Sequence, residues 1–153
     1  MISFIAVEGT PLPKGRRKLR RWLQRIAEDY GVRSLDLSYA FGNSEWMAEL
    51  NQKHLGHKGD TDILTFDYGA PQATRGLSRG GPYRRTIIHG ECCISPHRVK
   101  LQSVRWSNSD QEEMRRVLVH GLLHLIGFDD KKSKDQKLMR EAEDRALVIF
   151  DSL

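Results

Sequence analysis

The sequence is short of cysteines and of long apolar runs, and each shortage excludes a class of protein. Its two cysteines, Cys92 and Cys93, are adjacent, so they form neither a disulfide framework nor a zinc knuckle, and we interpret them as small strand residues. No stretch approaches the roughly 18 consecutive apolar residues of a membrane helix. The first residues carry no charged leader and no cleavage signal, so we expect a cytoplasmic protein without a membrane partner.

Positive charge is what the sequence has in excess. Lysine and arginine number 25 against 20 acidic residues, which gives a net charge of +5 and an isoelectric point near 9.4. A polyanionic partner would suit this balance, although a basic protein without nucleic-acid chemistry would have a similar composition. The length of 153 residues predicts one domain over residues 1–153 with a core of its own.

The pattern of apolar residues predicts strands and helices in mixture. Capping-box patterns at Ser109 with Glu112 and at Ser133 with Gln136 predict two helix starts in the last third of the chain. The fold class expected is α/β (α+β), a mixed sheet of about four strands covered by about five helices. The predicted segments are strands at 2–7, 35–41, 63–66 and 86–94, helices at 19–30, 43–55, 110–126 and 134–150, and a loop at 68–83.

Two histidines on a largely apolar helix point to chemistry. His120 and His124 are four residues apart, so both rings leave the same helix face, about 5–6 Å apart at Cβ. That spacing lets two imidazoles bind one metal ion, as in His-Glu-x-x-His enzymes. Gly127 then lets the chain leave the helix, so Asp129 or Asp130 can fold back as a third ligand. Three protein ligands and an open position for water are typical of catalytic zinc.

The same residues also allow a structural interpretation. Both histidines could be core residues that bond backbone carbonyls, since an unpaired buried polar group costs about 1–3 kcal/mol. A metalloprotease needs a glutamate directly after its first histidine, and that position is Gly121, so peptide hydrolysis is disfavoured. A general base would come from elsewhere. Glu91 and Asp62 are the candidates, unless they make only structural hydrogen bonds or contacts to the histidine rings.

Basic residues concentrate in the first helix with its lead-in and in the segment that follows residue 74. Such clusters bind phosphates without sequence preference, and beside a hydrolytic metal they favour RNA as the partner over simple solvation. The candidate RNA-binding residues are Arg16, Arg17, Arg20, Arg21, Arg84 and Arg85.

Three segments resemble the YbeY family of ribosomal-RNA maturation endoribonucleases. Residues 120–130 resemble its signature, His-Gly-x-Leu-His-Leu-x-Gly-Tyr-Asp-His, with Phe128 at the tyrosine. Residues 50–51 and 61–66 (LN and TDILTF) resemble the family's Leu-Asn and Thr-Asp-Val-Leu-Ser-Phe segment, and residues 90–95 resemble its Gly-Asp strand. The final helix also has the expected character, with Met139, Arg140 and Glu143. The resemblance therefore covers most of the chain.

The resemblance implies a metal-dependent, single-strand-directed endoribonuclease with one Zn²⁺ per chain. Its role would be ribosomal RNA processing and ribosome quality control, with ribosomal RNA and the ribosome as partners. Asp130 stands at the family's third signature histidine, so the resemblance favours it over Asp129 as the third ligand. An arginine important in the family aligns with Leu55, which means that transition-state charge must be met elsewhere. The candidates for that role are His57, Lys58 and Arg85.

Two other functions stay open from the sequence. One is a ribosome-associated RNA-binding factor in which zinc is structural and cleavage is weak or absent. The other is a hydrolase of a small phosphorylated or amide substrate, which would not need the basic helix. The sequence does not give the oligomeric state.

Overall fold

The computed structural model describes residues 1–57, 59, 61–69 and 85–153, and within them the chain forms four strands and five helices. This arrangement confirms the predicted fold class, whereas most of the predicted loop at 68–83 lies outside the described residues. None of the described helices is long and apolar enough to cross a membrane. The strands are β1 (Ile2–Ala6), β2 (Ser34–Phe41), β3 (Ile63–Asp67) and β4 (Ile87–Ile94), and the helices are α1 (Arg16–Asp29), α2 (Ser44–Leu55), α3 (Pro96–Arg105), α4 (Asp110–Ile126) and α5 (Ser133–Asp151).

The four strands form one mixed sheet in the order β1-β2-β4-β3. β1, β2 and β4 run parallel, and β3 pairs antiparallel with β4 at the edge. Side chains alternate between the two faces of β4. Gly90 and Cys92 face α4, whereas Cys93 belongs to a small apolar cluster under α2 on the opposite face. This alternation decides which residues of β4 lie near α4.

Helix α4 lies at the centre of the main core, in contact with β3, β4, α1, α3 and α5. Its apolar residues, among them Leu118 and Leu122, are fully buried, as their distribution around the helix predicts. The Tyr39 hydroxyl donates to the Leu118 carbonyl at 2.8 Å and ties β2 to α4. Trp22 Nε1 donates to the Ala146 carbonyl at 2.7 Å and ties α1 to α5. These buried hydrogen bonds hold the outer helices around α4.

Side-chain caps mark the starts of two helices, one of them at the predicted Ser109. Ser109 Oγ accepts from the Glu112 backbone N–H at 3.1 Å at the start of α4. Asn43 Oδ1 accepts from the Trp46 backbone N–H at 2.8 Å at the start of α2. Each cap satisfies a donor that the first helical turn leaves without an intrahelical partner.

At two other helix starts the sequence patterns gave a wrong cap or no prediction. Ser133 is already the first residue of α5 and Lys132 is its N-cap, without a side-chain hydrogen bond, so the predicted box of Ser133 with Gln136 is not formed. The sequence patterns placed no helix at 96–105, where the structure has α3. Ser95 Oγ accepts from the Arg98 backbone N–H at 3.2 Å, and proline is well tolerated at a first helical position.

Candidate metal centre

Helix α4 brings both histidines to the edge of the core because a glycine lets the helix approach the sheet closely. A Cβ atom at Gly121 would lie 2.6 Å from Cys92 Sγ and 3.0 Å from Ile63 Cδ1. A larger residue would therefore push α4 away from β3 and β4. The glutamate that a metalloprotease carries at this position would not fit, which adds a steric reason to the argument from sequence.

The two histidines converge on one carboxylate. Asp130 Oδ2 lies 3.4 Å from His120 Nε2 and 3.2 Å from His124 Nε2. One ligand atom from each residue lies within 4.8 Å of the other two, so this cluster can hold a metal ion. Ligands at about 2.0–2.1 Å from a tetrahedral ion are separated by roughly 3.3 Å, which matches the two distances from Asp130 Oδ2 to the histidine Nε2 atoms.

The structure places Asp130 with the histidines and turns Asp129 away. Asp129 Oδ1 accepts hydrogen bonds from the backbone N–H groups of Asp130 at 2.8 Å and Lys131 at 3.3 Å. Asp129 thus stabilises the turn after Gly127, whose φ of 136° lets the chain reverse at the end of α4. The turn is what carries Asp130 back to the helix.

The second nitrogen of each imidazole has its own partner. His124 Nδ1 lies 3.1 Å from the Phe128 carbonyl oxygen, which can only accept, so Nδ1 carries the proton. His120 Nδ1 lies 2.7 Å from Glu143 Oε2 on α5. With both Nδ1 atoms engaged, both Nε2 atoms are directed at Asp130, as metal-binding histidines require.

Glu143 is a buried carboxylate that also accepts a hydrogen bond from Arg116. Arg116 Nη1 donates to Glu143 Oε1 at 2.9 Å, and Arg116 Nη2 donates to Asp144 Oδ1 at 2.7 Å. Burial opposes the charge of Arg116, but the hydrogen bonds with Asp144 and Glu143 outweigh it and raise the pKa of Arg116. A buried carboxylate needs such a partner, since an unpaired charge in a core is strongly destabilising. The contacts of Glu143 therefore link α4, α5 and the ring of His120.

The surroundings of the two rings move their pKa values apart. Burial lowers the pKa of His120, but the hydrogen bond and charge of Glu143, with help from Asp130 and Asp62, raise it overall. The pKa of His124 is lowered, by burial and by the neighbouring His120. Since only a neutral imidazole binds a metal, His124 is the readier ligand, and a proton competes with the metal at His120.

A cavity of about 340 Å³ opens beside the cluster. Its floor is α4, one wall comes from α5, and the other comes from the end of α3 and the start of β3. Among its lining residues are His120, Asp130, Asp62, Trp106 and Arg140. The cavity is thus large enough to admit a substrate group next to the metal cluster.

Of the three predicted catalytic residues, the structure brings only Asp62 to this cavity. Asp62 Oδ1 accepts from the Ile63 backbone N–H at 2.9 Å, and its charge acts on His120. Glu91 is on the opposite face of the sheet, with Cys93 Sγ at 3.7 Å from its carboxylate, so the sheet separates it from the histidines. His57 is exposed just after α2 and does not line the cavity as the described residues define it.

The predicted RNA-binding arginines divide into two groups. Arg16, Arg17, Arg20 and Arg21 are exposed on α1, although Arg20 Nε also donates to a β1 carbonyl at 3.1 Å. Arg84 lies outside the described residues. Arg85 is buried, forms an ion pair with Asp67, and donates to the Leu125 carbonyl at 3.1 Å. The prediction that Arg85 binds RNA is therefore corrected, because its guanidinium is directed into the protein.

Sequence reasoning gave no role to two charged residues that meet beside the cluster. Arg116 and Glu143 are 27 residues apart, and no spacing rule connects them to each other or to His120. One signal was available for Glu143. It lies within the apolar stripe of α5, between the buried residues Ala142 and Ala146, where a carboxylate demands a partner.

Comparison with known proteins gives one consistent result. A family model described as "Endoribonuclease YbeY" matches residues 9–151. A relative of that name from Azobacteroides pseudotrichonymphae is 38% identical over 136 residues, which is 88% of each chain. One from Parabacteroides distasonis is 35% identical over 150 residues, covering 97% of this chain and 95% of the relative.

A solved structure is similar to the whole fold. The solution structure of a Thermotoga maritima protein superposes with a TM-score of 0.62 at 23% identity, covering 95% of this chain and 86% of that one. At this identity the likeness concerns the fold alone. It supports the mixed sheet with α4 at its centre.

Proposed function

The chain belongs to the YbeY endoribonuclease family, and from that premise we propose that it is a zinc-dependent endoribonuclease that cleaves single-stranded ribosomal RNA in the cytoplasm. Its role would be the maturation of ribosomal RNA and ribosome quality control. The observation that carries the metal dependence is the convergence of His120 Nε2, His124 Nε2 and Asp130 Oδ2, with both Nδ1 atoms already bonded.

His120, His124 and Asp130 would hold the zinc ion and leave its fourth position open. A catalytic zinc in such a site supplies Lewis acidity at a phosphoryl oxygen and lowers the pKa of a bound water. Two imidazoles and one carboxylate are among the ligand sets that zinc accepts. The Phe128 carbonyl and Glu143 fix the two rings, so the site needs little reorganisation when it binds the metal.

The chain's own groups would perform the remaining tasks. Asp62 lines the cavity beside His120 and is the carboxylate placed to accept a proton from the attacking hydroxyl or water. Arg140 lines the same cavity. Its Nη1 lies 3.9 Å from Glu143 Oε1, but its side chain is 59% exposed, so the other N–H groups of the guanidinium are available to bind a phosphate. We therefore propose Arg140 for the charge that the family's arginine would supply, because Arg85 is paired with Asp67 and position 55 holds leucine.

A non-catalytic alternative has one observation in its favour. Leu55 is 52% exposed and apolar at the position where the family carries its arginine. A protein that only binds ribosomal RNA, with a structural zinc, would not need that charge. The alternative predicts RNA binding without cleavage, whereas the proposed enzyme cleaves.

Cleavage assays with the purified protein separate the two. The protein is stripped with a chelator, reconstituted with Zn²⁺, Mn²⁺ or Mg²⁺, and incubated with an unstructured RNA and with a duplex of the same composition. We expect cleavage of the unstructured RNA that returns with Zn²⁺ and is lost in Asp62→Asn. RNA binding without cleavage under every metal condition would replace the enzyme with the binding factor.

A further inference from the structure

One wall of the cavity beside the metal cluster is formed by an exposed aromatic ring. Trp106 follows directly after α3 and is 60% exposed, although tryptophan is on average among the more buried residues. It lines the same cavity as His120 and Asp130. An indole left in contact with water inside a cavity offers a flat apolar surface to a ligand.

The backbone that carries Trp106 is well fixed. The Trp106 N–H donates to the Gln102 carbonyl at 3.0 Å, and the Asn108 N–H donates to the Ser103 carbonyl at 2.9 Å. Asn108 Nδ2 also donates to Glu113 Oε2 at 3.1 Å, which ties this turn to α4. The ring is therefore presented from a turn whose position relative to α4 is set by several hydrogen bonds.

The two sides of the indole differ. The Arg105 guanidinium lies over the ring, 5.4 Å from its centroid. Arg105 does not line the cavity as the described residues define it, and the 60% exposure of Trp106 leaves ring surface in the cavity for a second planar group. Gln102 and Arg140 also line the cavity and supply amide and guanidinium hydrogen-bond donors around that space.

The end of the cavity at Trp106 suits a base more than a phosphate. Glu113, which is bonded to the turn of Trp106, precedes His120 by seven residues on α4, a separation of about 10 Å along the helix axis. This span is comparable to the size of one nucleotide. Glu113 and Asp62 both line the cavity, and carboxylates repel phosphate but accept hydrogen bonds from the amino groups of bases.

We propose that Trp106 stacks against an unpaired base of the RNA, next to the phosphate that lies at the metal cluster. The inference rests on the proposed function in one respect, namely that RNA is the ligand. Aromatic stacking accepts any base, but a base within a duplex is already stacked between its neighbours and offers no free face. Trp106 would thus be one source of the preference for single-stranded RNA.

Binding measurements test this directly. The probe is a fluorescein-labelled, unstructured RNA oligomer whose ribose hydroxyls are methylated to prevent their attack on the phosphates, and the comparison is a hairpin of the same composition. Trp106→Ala should weaken binding of the oligomer by roughly 5- to 100-fold, the range expected when one base loses its aromatic partner. Trp106→Phe should keep most of the affinity, and hairpin binding should change little in either variant.

A matched control comes from the same helix. Val104 is 75% exposed on α3 and does not line the cavity, so Val104→Ala should bind the oligomer as the wild type does. Stacking should also quench tryptophan emission in the wild type, and the quench should disappear in Trp106→Phe. Circular dichroism of each variant shows whether the fold is kept.

The outcomes separate this inference from the proposed function. Unchanged affinity in a folded Trp106→Ala protein, or a quench that persists in Trp106→Phe, overturns the stacking site even if zinc binding and cleavage are intact. Conversely, a protein that binds no zinc and cleaves nothing, yet loses oligomer affinity in Trp106→Ala, keeps the stacking site and contradicts the enzyme.

Discussion

At the scale of single residues, the carboxylate of Glu143 controls the ring of His120. The hydrogen bond of 2.7 Å at Nδ1 favours the tautomer whose Nε2 lone pair faces Asp130. Arg116 donates a hydrogen bond to that carboxylate, which is buried. Glu143 is thus a positioning residue for His120, which we propose as a metal ligand and which Glu143 contacts from another helix.

Removing this carboxylate should weaken metal binding. We expect Glu143→Ala to lower zinc affinity by roughly 10- to 100-fold, because the loss of an outer hydrogen bond to a metal-binding histidine has about that effect. Glu143→Gln should lose less, since its amide oxygen can still accept from Nδ1. Chelator competition measures the affinity, and Glu141→Ala is the control, an exposed glutamate on the same helix. A folded Glu143→Ala protein with wild-type zinc affinity would contradict the assigned role.

The two thiols should be inert in the folded protein. Burial raises the pKa of Cys92 to about 12, and burial together with Glu91 raises the pKa of Cys93. Because the thiolate is the reactive form, neither should react with a thiol reagent near neutral pH, and reactivity should grow as the pH rises toward these values. Both should react after denaturation. Rapid stoichiometric labelling of the native protein at neutral pH would contradict the buried positions.

At the scale of secondary-structure elements, the contact of α4 with the sheet sets the position of the metal cluster. A Cβ atom at Gly121 would lie too close to Cys92 and Ile63, so the helix has no room for a side chain at this position. The exit at Gly127 then brings the following turn back to the histidines. Helix, glycine contact and turn together form the site.

Adding a side chain at Gly121, where α4 contacts the sheet, should destabilise the fold. Gly121→Ala gains about 1 kcal/mol of helix propensity but overpacks a contact that costs about 1–3 kcal/mol, so we expect a net loss of up to about 2 kcal/mol in urea unfolding. Cys92→Ala removes the nearest clashing atom, so the double variant should be more stable than the sum of the single changes predicts. If the losses in the free energy of unfolding were strictly additive, residues 92 and 121 would not be in steric conflict.

What could be predicted from the sequence at this scale was local. Apolar periodicity and the cap at Ser109 depend on neighbours a few residues away, and the structure confirms them. The spacing of His120 and His124 is local in the same way, and the structure places the two rings together. The position of Glu91 depends on which face of β4 meets α4, and alternation alone does not give that choice.

The other features that the sequence did not predict are contacts between residues far apart in the chain. The burial of Arg85 depends on Asp67 and on the end of α4, and the contact of Glu143 with His120 joins two helices. Such pairings arise only when the elements pack, so no spacing in the sequence predicts them. The assignment of Asp130 over Asp129 came from the family resemblance, and the turn geometry gives its physical reason.

At the scale of the whole molecule, α1 carries a group of exposed arginines, whereas the cavity beside the cluster is lined by residues of both charges, including Arg116 and Arg140. Exposed arginines on α1 include Arg17 and Arg21, whereas Asp62, Glu113 and Asp130 line the cavity. This arrangement suggests that α1 contacts the RNA backbone while the cavity receives one short unpaired segment. The net charge of +5 would then act mainly through α1.

The α1 surface should act through salt-sensitive phosphate contacts. The double change of Arg17 and Arg21 to glutamine should weaken RNA binding and reduce the slope of log affinity against log salt by roughly 1.5, because two phosphate contacts are lost. Lys134 and Lys137, both exposed on α5, are changed together as a control of equal charge. An equal loss in both pairs would indicate that only the net charge matters.

The central claim is that His120, His124 and Asp130 bind one catalytic zinc ion, and metal content tests it most directly. Mass spectrometry would count metal in the wild type, His124→Ala, Asp130→Ala and the control Asp129→Ala, with RNA cleavage assayed on the same samples. We expect about one zinc per chain in the wild type and in Asp129→Ala, and loss of both zinc and cleavage in the other two. A wild type without bound metal, with cleavage indifferent to all three changes, would contradict the account.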